Sequence, residues 1–359
     1  MNIRRNALPV GRAVALVFAV AAACFGAPAC AFAQNQAFQF AAIGDTGYSK
    51  IGEQEFARML AAIDKEGLAF VVHVGDFAAD PRPYERSPER VSMPCTDESF
   101  ERVLASFQTS AHPFILTPGD NDWTDCHLLK ARKVDPLERL ARVRAMFFPK
   151  GRSLGRRTLA VESQSKDPAF AKFRENLTWT VNAVIFATLH IVGSQDNKGR
   201  TPEMDAEQAE RSAANVAWLK RTFAAAKAAN APGLVLITQA NPEFEAHWTP
   251  TLQSRYVRAV PGADIPKQPV DSVFADLVNA LADEMEDFRK PTLFIHGDTH
   301  LYRVNKPLMS RKTKRFFENF TRLEVFGDPE THWIRVTIDL AKPGLFVLEP
   351  EIVPDNRAN

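Results

Sequence analysis

The sequence predicts an α/β fold built from stacked layers of sheet and helix. Short runs rich in Val, Ile and Phe alternate with stretches whose apolar residues recur at helical spacing. The alternation then gives way to a β-rich C-terminal end, and no shift in composition marks a linker. With 359 residues, 45% of them hydrophobic, the chain has ample material for a buried core.

The elements follow in order. Phe38–Ile43 reads as a strand running into Gly44-Asp45-Thr46-Gly47. A helix follows, with Phe56, Met59, Leu60 and Ile63 on one face. Phe70–Val74 is a second strand, ending at Gly75-Asp76. Residues 78–98 are Pro-rich, charged and aperiodic, and read as a surface insertion. A helix over Phe100–Phe107 leads to a third strand, Pro113–Thr117, which ends at Gly119-Asp120-Asn121-Asp122. Pro136–Phe148 is helical, and Leu177–Thr180 and Ala183–Val192 pair around Asn182. The longest helix starts at Pro202 behind a Thr201 cap and runs to about Asn230. Leu234–Thr238 is a buried strand, 241–270 is irregular, and Val273–Phe288 is a helix. Leu293–Ile295 leads into His296-Gly297-Asp298-Thr299-His300. Short strands near Leu323–Phe326, Trp333–Ile338 and Leu345–Leu348 close the chain.

Residues 1–33 read as a secretory signal: Arg4, Arg5 and Arg12, an apolar stretch over Ala13–Phe25, and Ala31-Phe32-Ala33 before Gln34. The expected organisation is therefore a signal over 1–33 and one domain over 34–359, delivered to the periplasm or secreted. A membrane anchor is the competing reading, but Gly26 and Pro28 interrupt the stretch. No later segment has the roughly 20 consecutive apolar residues of a membrane span. The formal net charge of +1 gives no basic footprint for nucleic acid. Cys95 and Cys126 are the cysteines beyond the signal, and in an oxidising compartment they are expected to pair.

The informative polar residues sit at strand ends. Asp45, Asp76, Asp120 and Asp298 each follow a Gly just past an apolar run, with Gln239 and His300 at two further ends. In open α/β sheets ligands bind beyond the carboxyl ends of strands. Carboxylates gathered there repel one another unless a cation lies among them. Any one Gly-Asp is an ordinary turn; the set predicts a metal site.

That order of motifs resembles the calcineurin-like metallophosphoesterases, which include the purple acid phosphatases, over most of the chain after residue 33. The resemblance implies a four-layered α/β/β/α sandwich holding two metal ions, a metal-bound hydroxide attacking phosphorus, and a small phosphorylated substrate. Asp45, Asp76 and His300 match the family's ligands. Gly47 stands in place of a His, Gln239 replaces a ligand His, and Asp298 replaces the first His of the last motif. Asp120 stands at the metal-binding Asn and Asn121 at the catalytic His; a shift of one residue matches Asn121-Asp122 to the motif instead. The expected metal ligands are Asp45, Asp76, Asp120, Asn121, Gln239, Asp298 and His300. Asn121, Asp122 and His296 are the expected catalytic residues. The oxygen-rich donor set favours Mn, Mg or Ca over Zn or Fe, although either of the latter is compatible with the family.

Other residues carry two readings each. His296 is a general acid or a core His; His127 is a second candidate acid. His73 and His190 read as core. Ser194–Asn197 and Arg200 contact phosphate or are solvated; Trp123 stacks on a substrate ring or shields the site. Asn176-Leu177-Thr178 matches a glycosylation sequon. The alternative to an enzyme is a non-catalytic protein of this fold that binds a metal or an anion.

Overall fold

A computed structural model describes residues 1–2, 37–82, 94–130, 132–259 and 272–356. The chain divides into Met1–Gln34 and a compact unit, Asn35–Asn359. The expected signal lies, apart from Met1 and Asn2, outside the described residues.

The compact unit has helices outside and two sheets inside. The first sheet orders its strands β12-β11-β1-β2-β3 and the second β4-β5-β6-β7-β8-β10-β9. In the first, β1 (Phe38–Ile43), β2 (Val71–His73) and β3 (Phe114–Leu116) are parallel, and β11 (Trp333–Ile338) and β12 (Phe346–Glu351) close one edge antiparallel. In the second, β6 (Val184–Thr188), β7 (Leu234–Ile237), β8 (Thr292–His296) and β10 (Phe320–Glu324) are parallel. The remaining strands, β4 (Glu162–Ser163), β5 (Leu177–Val181) and β9 (Arg303–Asn305), pair antiparallel at its edges.

Alternation along the strands builds the layers. Val184, Phe186, Val235, Ile237, Leu293 and Ile295 join the core shared with Phe40 and Phe70 of the first sheet. Phe186 meets Phe40 edge-on at 5.6 Å and Phe70 at 5.2 Å. The alternate residues Ile185, Ala187, Leu234, Leu236 and Phe294 pack in a second core. That core includes Trp218, Leu219 and Phe223 of the helix Pro202–Ala228 and Leu281 of the helix Ala275–Asp287. The period of two in each strand thus serves both faces of the sheet. The helices Lys50–Ile63 and Asp97–Thr109 cover the first sheet through Phe56, Met59, Phe100 and Phe107. This is the expected α/β/β/α layering.

Several expectations need correction. The sequence stretch 78–98 is not wholly a surface insertion: Ala78, Ala79 and Cys95 are buried, and Asp97 opens a helix capped by Thr96. Residues 83–93 lie outside the described set. The stretch read as irregular contains a turn at Phe244–His247 and a helix at Pro250–Ala259. That helix buries none of its residues, and its apolar positions, Leu252, Tyr256 and Val257, are too few to mark it in the sequence. The sequon is buried: the Asn176 amide is fully enclosed and donates to Gln164 Oε1 at 2.7 Å and Asn215 Oδ1 at 2.9 Å. An oligosaccharide has no access there.

Cys95 and Cys126 form a disulfide. It ties the start of the helix Asp97–Thr109 to the turn Thr124–Leu128, just past the carboxylates that end β3.

Candidate metal centre

The parallel strands of both sheets deliver their C-terminal ends to one place. Asp45 follows β1, Asp76 follows β2, Asp120 follows β3, Gln239 follows β7 and Asp298 follows β8. Asp45, Asp76, Asp298 and His300 all have left-handed backbones, with φ of 52°, 53°, 80° and 60°. Non-glycine residues held in that region carry strain of about 1–3 kcal/mol each, maintained only where surrounding contacts enforce it. The sharp turns aim the carboxylates back across the sheet ends.

The approach is close enough to exclude side chains. A Cβ on Gly193 would fall 2.2 Å from Asp298 Oδ1 and 2.7 Å from Asp120 Oδ2. One on Gly297 would fall 1.8 Å from Asp45 Oδ2, and one on Gly119 2.0 Å from Asp76 Oδ1.

Gln239 joins the carboxylates. Its Nε2 donates to Asp120 Oδ1 and Asp298 Oδ1 at 3.1 Å each, and lies 3.3 Å from Asp76 Oδ2. Its Oε1 accepts the Gly193 N–H at 2.8 Å, which fixes the amide's orientation. The sequence led to the opposite expectation, a metal-ligating oxygen. In this structure Gln239 turns its donor, not its acceptor, toward the acids.

Asn121 lies on the same acid. Its backbone N–H and side-chain amide donate to the two oxygens of Asp76 at 3.1 and 3.2 Å. Tyr48, which sequence reasoning overlooked although it adjoins Gly47, also reaches Asp76 Oδ2 at 3.4 Å.

Asp122 has another task. Its carboxylate accepts four backbone N–H groups, from Asp76, Phe77, Ala78 and Gly119, at 2.7–3.1 Å. It fastens the loop after β2 to the loop after β3. Its oxygens are therefore committed to the backbone, whereas Asp120 and Asn121 face Gln239 and Asp76.

His300 donates from Nδ1 to the Asp328 carbonyl at 2.7 Å, leaving the Nε2 lone pair 3.9 Å from Asp45 Oδ1. A histidine held this way presents its other nitrogen as a ligand. Asp45 Oδ2 is buried without a hydrogen-bond partner.

His296 is fully buried; Nδ1 donates to the Gly297 carbonyl at 2.8 Å and Nε2 has no hydrogen bond. Its Nε2 lies 3.9 Å from Glu324 Oε2, and none of its polar contacts joins the carboxylate cluster. Burial pushes its pKa well below the usual value, so it is neutral. That is the core reading. His73 is also buried, as expected.

Electrostatics describe the cluster as a whole. Burial, followed by mutual repulsion, holds Asp76 well above the ordinary carboxylate range. For Asp45 burial dominates, partly offset by the Asp298 N–H that it accepts at 2.9 Å. Burial raises Asp120 and Asp122 to about 7 and Asp298 to about 6. Among the described residues, no Lys or Arg forms an ion pair with any of the five. The donor type and the unbalanced charge fit a hard divalent cation. Among the described residues no three acidic, Cys or His side chains stand at ligand spacing. The Gln239 amide stands between the acids that a cation would balance. Gln239→His is therefore expected to raise Mn or Zn affinity on the order of tenfold, the scale on which single groups around a metal act. Titration calorimetry of the chelator-stripped protein checks this; unchanged affinity removes Gln239 from the metal's surroundings.

The remaining polar residues brace the site. His190 Nδ1 donates to Glu175 at 2.7 Å and Nε2 accepts the Trp123 indole N–H at 3.2 Å. Trp123 is fully buried, so it shields rather than stacks on a ligand. Ser194–Asn197 is a turn that exposes Gln195 and buries Asp196 and Asn197. Its φ angles run from 49° to 70°, and Asn197 is buried between Thr124 and Glu207. Arg200 is engaged by Asp125 at 3.1 Å. His127 Nδ1 lies 2.9 Å from the Thr124 carbonyl, within the turn that carries the disulfide.

No family model matches the sequence, and no curated protein matches it. Among solved structures, the chain is similar to PhoD at 12% identity and a TM-score of 0.46, over 88% of this chain and 68% of that one. It is also similar to a 5'-nucleotidase from Candida albicans at 11% identity and a TM-score of 0.41, over 87% of this chain and 50% of that one.

Proposed function

We propose that this chain is an exported, metal-dependent phosphoesterase acting on a small phosphorylated substrate. The observation that carries the reading is the set of buried carboxylates at the strand ends of two sheets, with no Lys or Arg paired to them among the described residues. Asp45 and His300 would hold a cation on one side, and Asp76, Asp120 and Asp298 on the other. Mn, Mg or Ca suits that donor set. When bound, the cation polarises a phosphoryl oxygen and makes water a better nucleophile. Asn121 offers a neutral amide beside Asp76, suited to a phosphoryl oxygen. Asp122 fixes the two loops so that Asp76 and Asp120 keep their relation. The disulfide and the pattern of residues 1–33 support export.

The test is hydrolysis of p-nitrophenyl phosphate and its bis-ester by protein stripped with chelator and restored with Mn, Mg, Ca or Zn. Metal-dependent turnover that vanishes in Asp76→Ala is the expected result. The competing reading is a binding protein of the same fold. What favours it is the Gln239 amide already bridging three carboxylates. Absence of turnover with every metal would select it.

A further inference from the structure

A cavity of about 160 Å³ is walled by the helices Lys50–Ile63 and Asp97–Thr109 and by the loops after β1 and β2. Two of its lining residues, Thr46 and Gly47, directly follow Asp45; Phe77 and Ala78 directly follow Asp76. The cavity thus begins one residue from two carboxylates of the cluster. A Cβ built on Gly47 would meet nothing within 4 Å, so the wall is open on that side.

The wall is largely aromatic. Phe56, Phe77, Phe100 and Phe107 line it, and Phe77 meets Phe100 and Phe107 edge-on, each at 5.9 Å. At the rim Arg102 and Glu53 neutralise each other at 3.3 Å. Two lining residues keep their polar atoms behind that wall: Thr46 Oγ1 and His73 Nε2 are buried and unpartnered. His73 Nδ1 accepts the Gly75 N–H at 3.1 Å, so the ring's proton is on Nε2. Burial lowers the His73 pKa to about 3, and the ring is neutral.

A closed apolar cavity of roughly 150 Å³ accommodates a benzene ring. We propose that this cavity binds the aryl group of the phosphoester cleaved at the carboxylate cluster: a neutral, benzene-sized ring. This rests on the phosphoesterase reading. In that hydrolysis an oxygen of water bonds to phosphorus and gives up its proton to solvent, the bond from phosphorus to the aryl oxygen breaks, and the aryl oxygen leaves with the electron pair as a phenolate. Asn121 cannot give up a proton to a leaving group. A phenol, ionising near pH 10, is the kind of alcohol that departs without one.

The test uses the full chain and two readouts. Acetophenone, a neutral aryl ketone without phosphorus, is titrated calorimetrically. The kcat/KM ratio for phenyl phosphate over methyl phosphate is measured in the metal-restored protein. Val103→Trp fills the cavity, and Ser106→Phe is a second filler should the first not fold. Acetophenone binding is expected in the unsubstituted chain. In the filled variant that binding and the phenyl preference should each fall at least about tenfold. No acetophenone binding, or binding indifferent to both fillers, overturns the cavity assignment even if esters are hydrolysed. Binding that disappears on filling, with neither ester hydrolysed by any metal form, overturns instead the phosphoesterase reading, and the ester assignment with it.

Discussion

Metal-free protein is expected to lose roughly 5–10 °C of Tm between pH 5 and pH 8, at about 1.5 °C per kcal/mol from an unfolding entropy of about 2.1 cal/mol/K per residue. The carboxylate cluster is the cause. Asp120 and Asp122 ionise at about 7 and Asp298 at about 6, while unfolded Asp ionises near 3.9. Burial is the leading cause of each shift. For Asp122 it outweighs even the Gly119, Ala78 and Phe77 N–H groups that favour its charged form. The folded-state pKa values are raised, so the folded chain binds more protons than the unfolded chain between about pH 4 and pH 7. The stability is fully present below the unfolded pKa and lost as pH rises through 6 and 7. A divalent cation favours the ionised carboxylates and reverses the trend. Mn should therefore raise Tm little at pH 5 and strongly at pH 8. Asp298→Asn should make the metal-free profile shallower, Asp120 and Asp122 keeping the rest of the slope. Scanning calorimetry with chelator and with Mn reads both curves; a metal-free Tm constant from pH 5 to 8 would remove the cluster's strain from the account.

Arg211→Met is expected to destabilise the fold by about 3–5 kcal/mol, the range for leaving buried charges without their partner. Arg211 is fully buried on the helix Pro202–Ala228. Its Nη1 meets Asp196 Oδ1 at 2.5 Å and the His190 carbonyl at 3.1 Å; its Nε meets Glu207 at 2.8 Å. Its Nη2 donates to the Asp196 carbonyl at 2.9 Å, and the guanidinium covers Trp123 at 5.4 Å. Methionine keeps the bulk and loses every donor, stranding Asp196 and Glu207. Asp196 lies in the left-handed run that follows Gly193. Loosening it should move Gly193 away from Asp120 and Asp298, so Mn affinity should fall along with stability. Guanidinium unfolding gives the first number; a loss under about 1 kcal/mol would show that the network relaxes without Arg211.

Much of this was legible in the sequence. Phe38–Ile43 and Trp333–Ile338 emerge at their expected bounds, because breakers or polar turns flank each apolar run. The cap and first turn at Thr201-Pro202 also emerge, since capping is chemistry within four residues. The gathering of Asp45, Asp76, Asp120 and Asp298 followed from their positions at strand ends, which topology converts into proximity. What sequence could not give depends on distant atoms. Asp122 is indistinguishable from its neighbours until its carboxylate meets N–H groups some 45 residues away. Gln239 turns its amide by an interaction with Gly193, 46 residues away. Asn176 fits a sequon by three letters, and only packing against Asn215 shows it buried.

The disulfide between Cys95 and Cys126 has a practical side. The covalent ring it closes contains the helix that walls the aromatic cavity, all of β3, and Asp120, Asn121 and Asp122. Thiol oxidation therefore links the cavity wall covalently to the carboxylate loop after β3. A polypeptide made in a reducing cytosol would emerge with that ring unlinked, and its failure in an assay would speak about its production history rather than its chemistry. Material for any of these experiments belongs in an oxidising host compartment, with free-thiol titration as the release criterion for each batch.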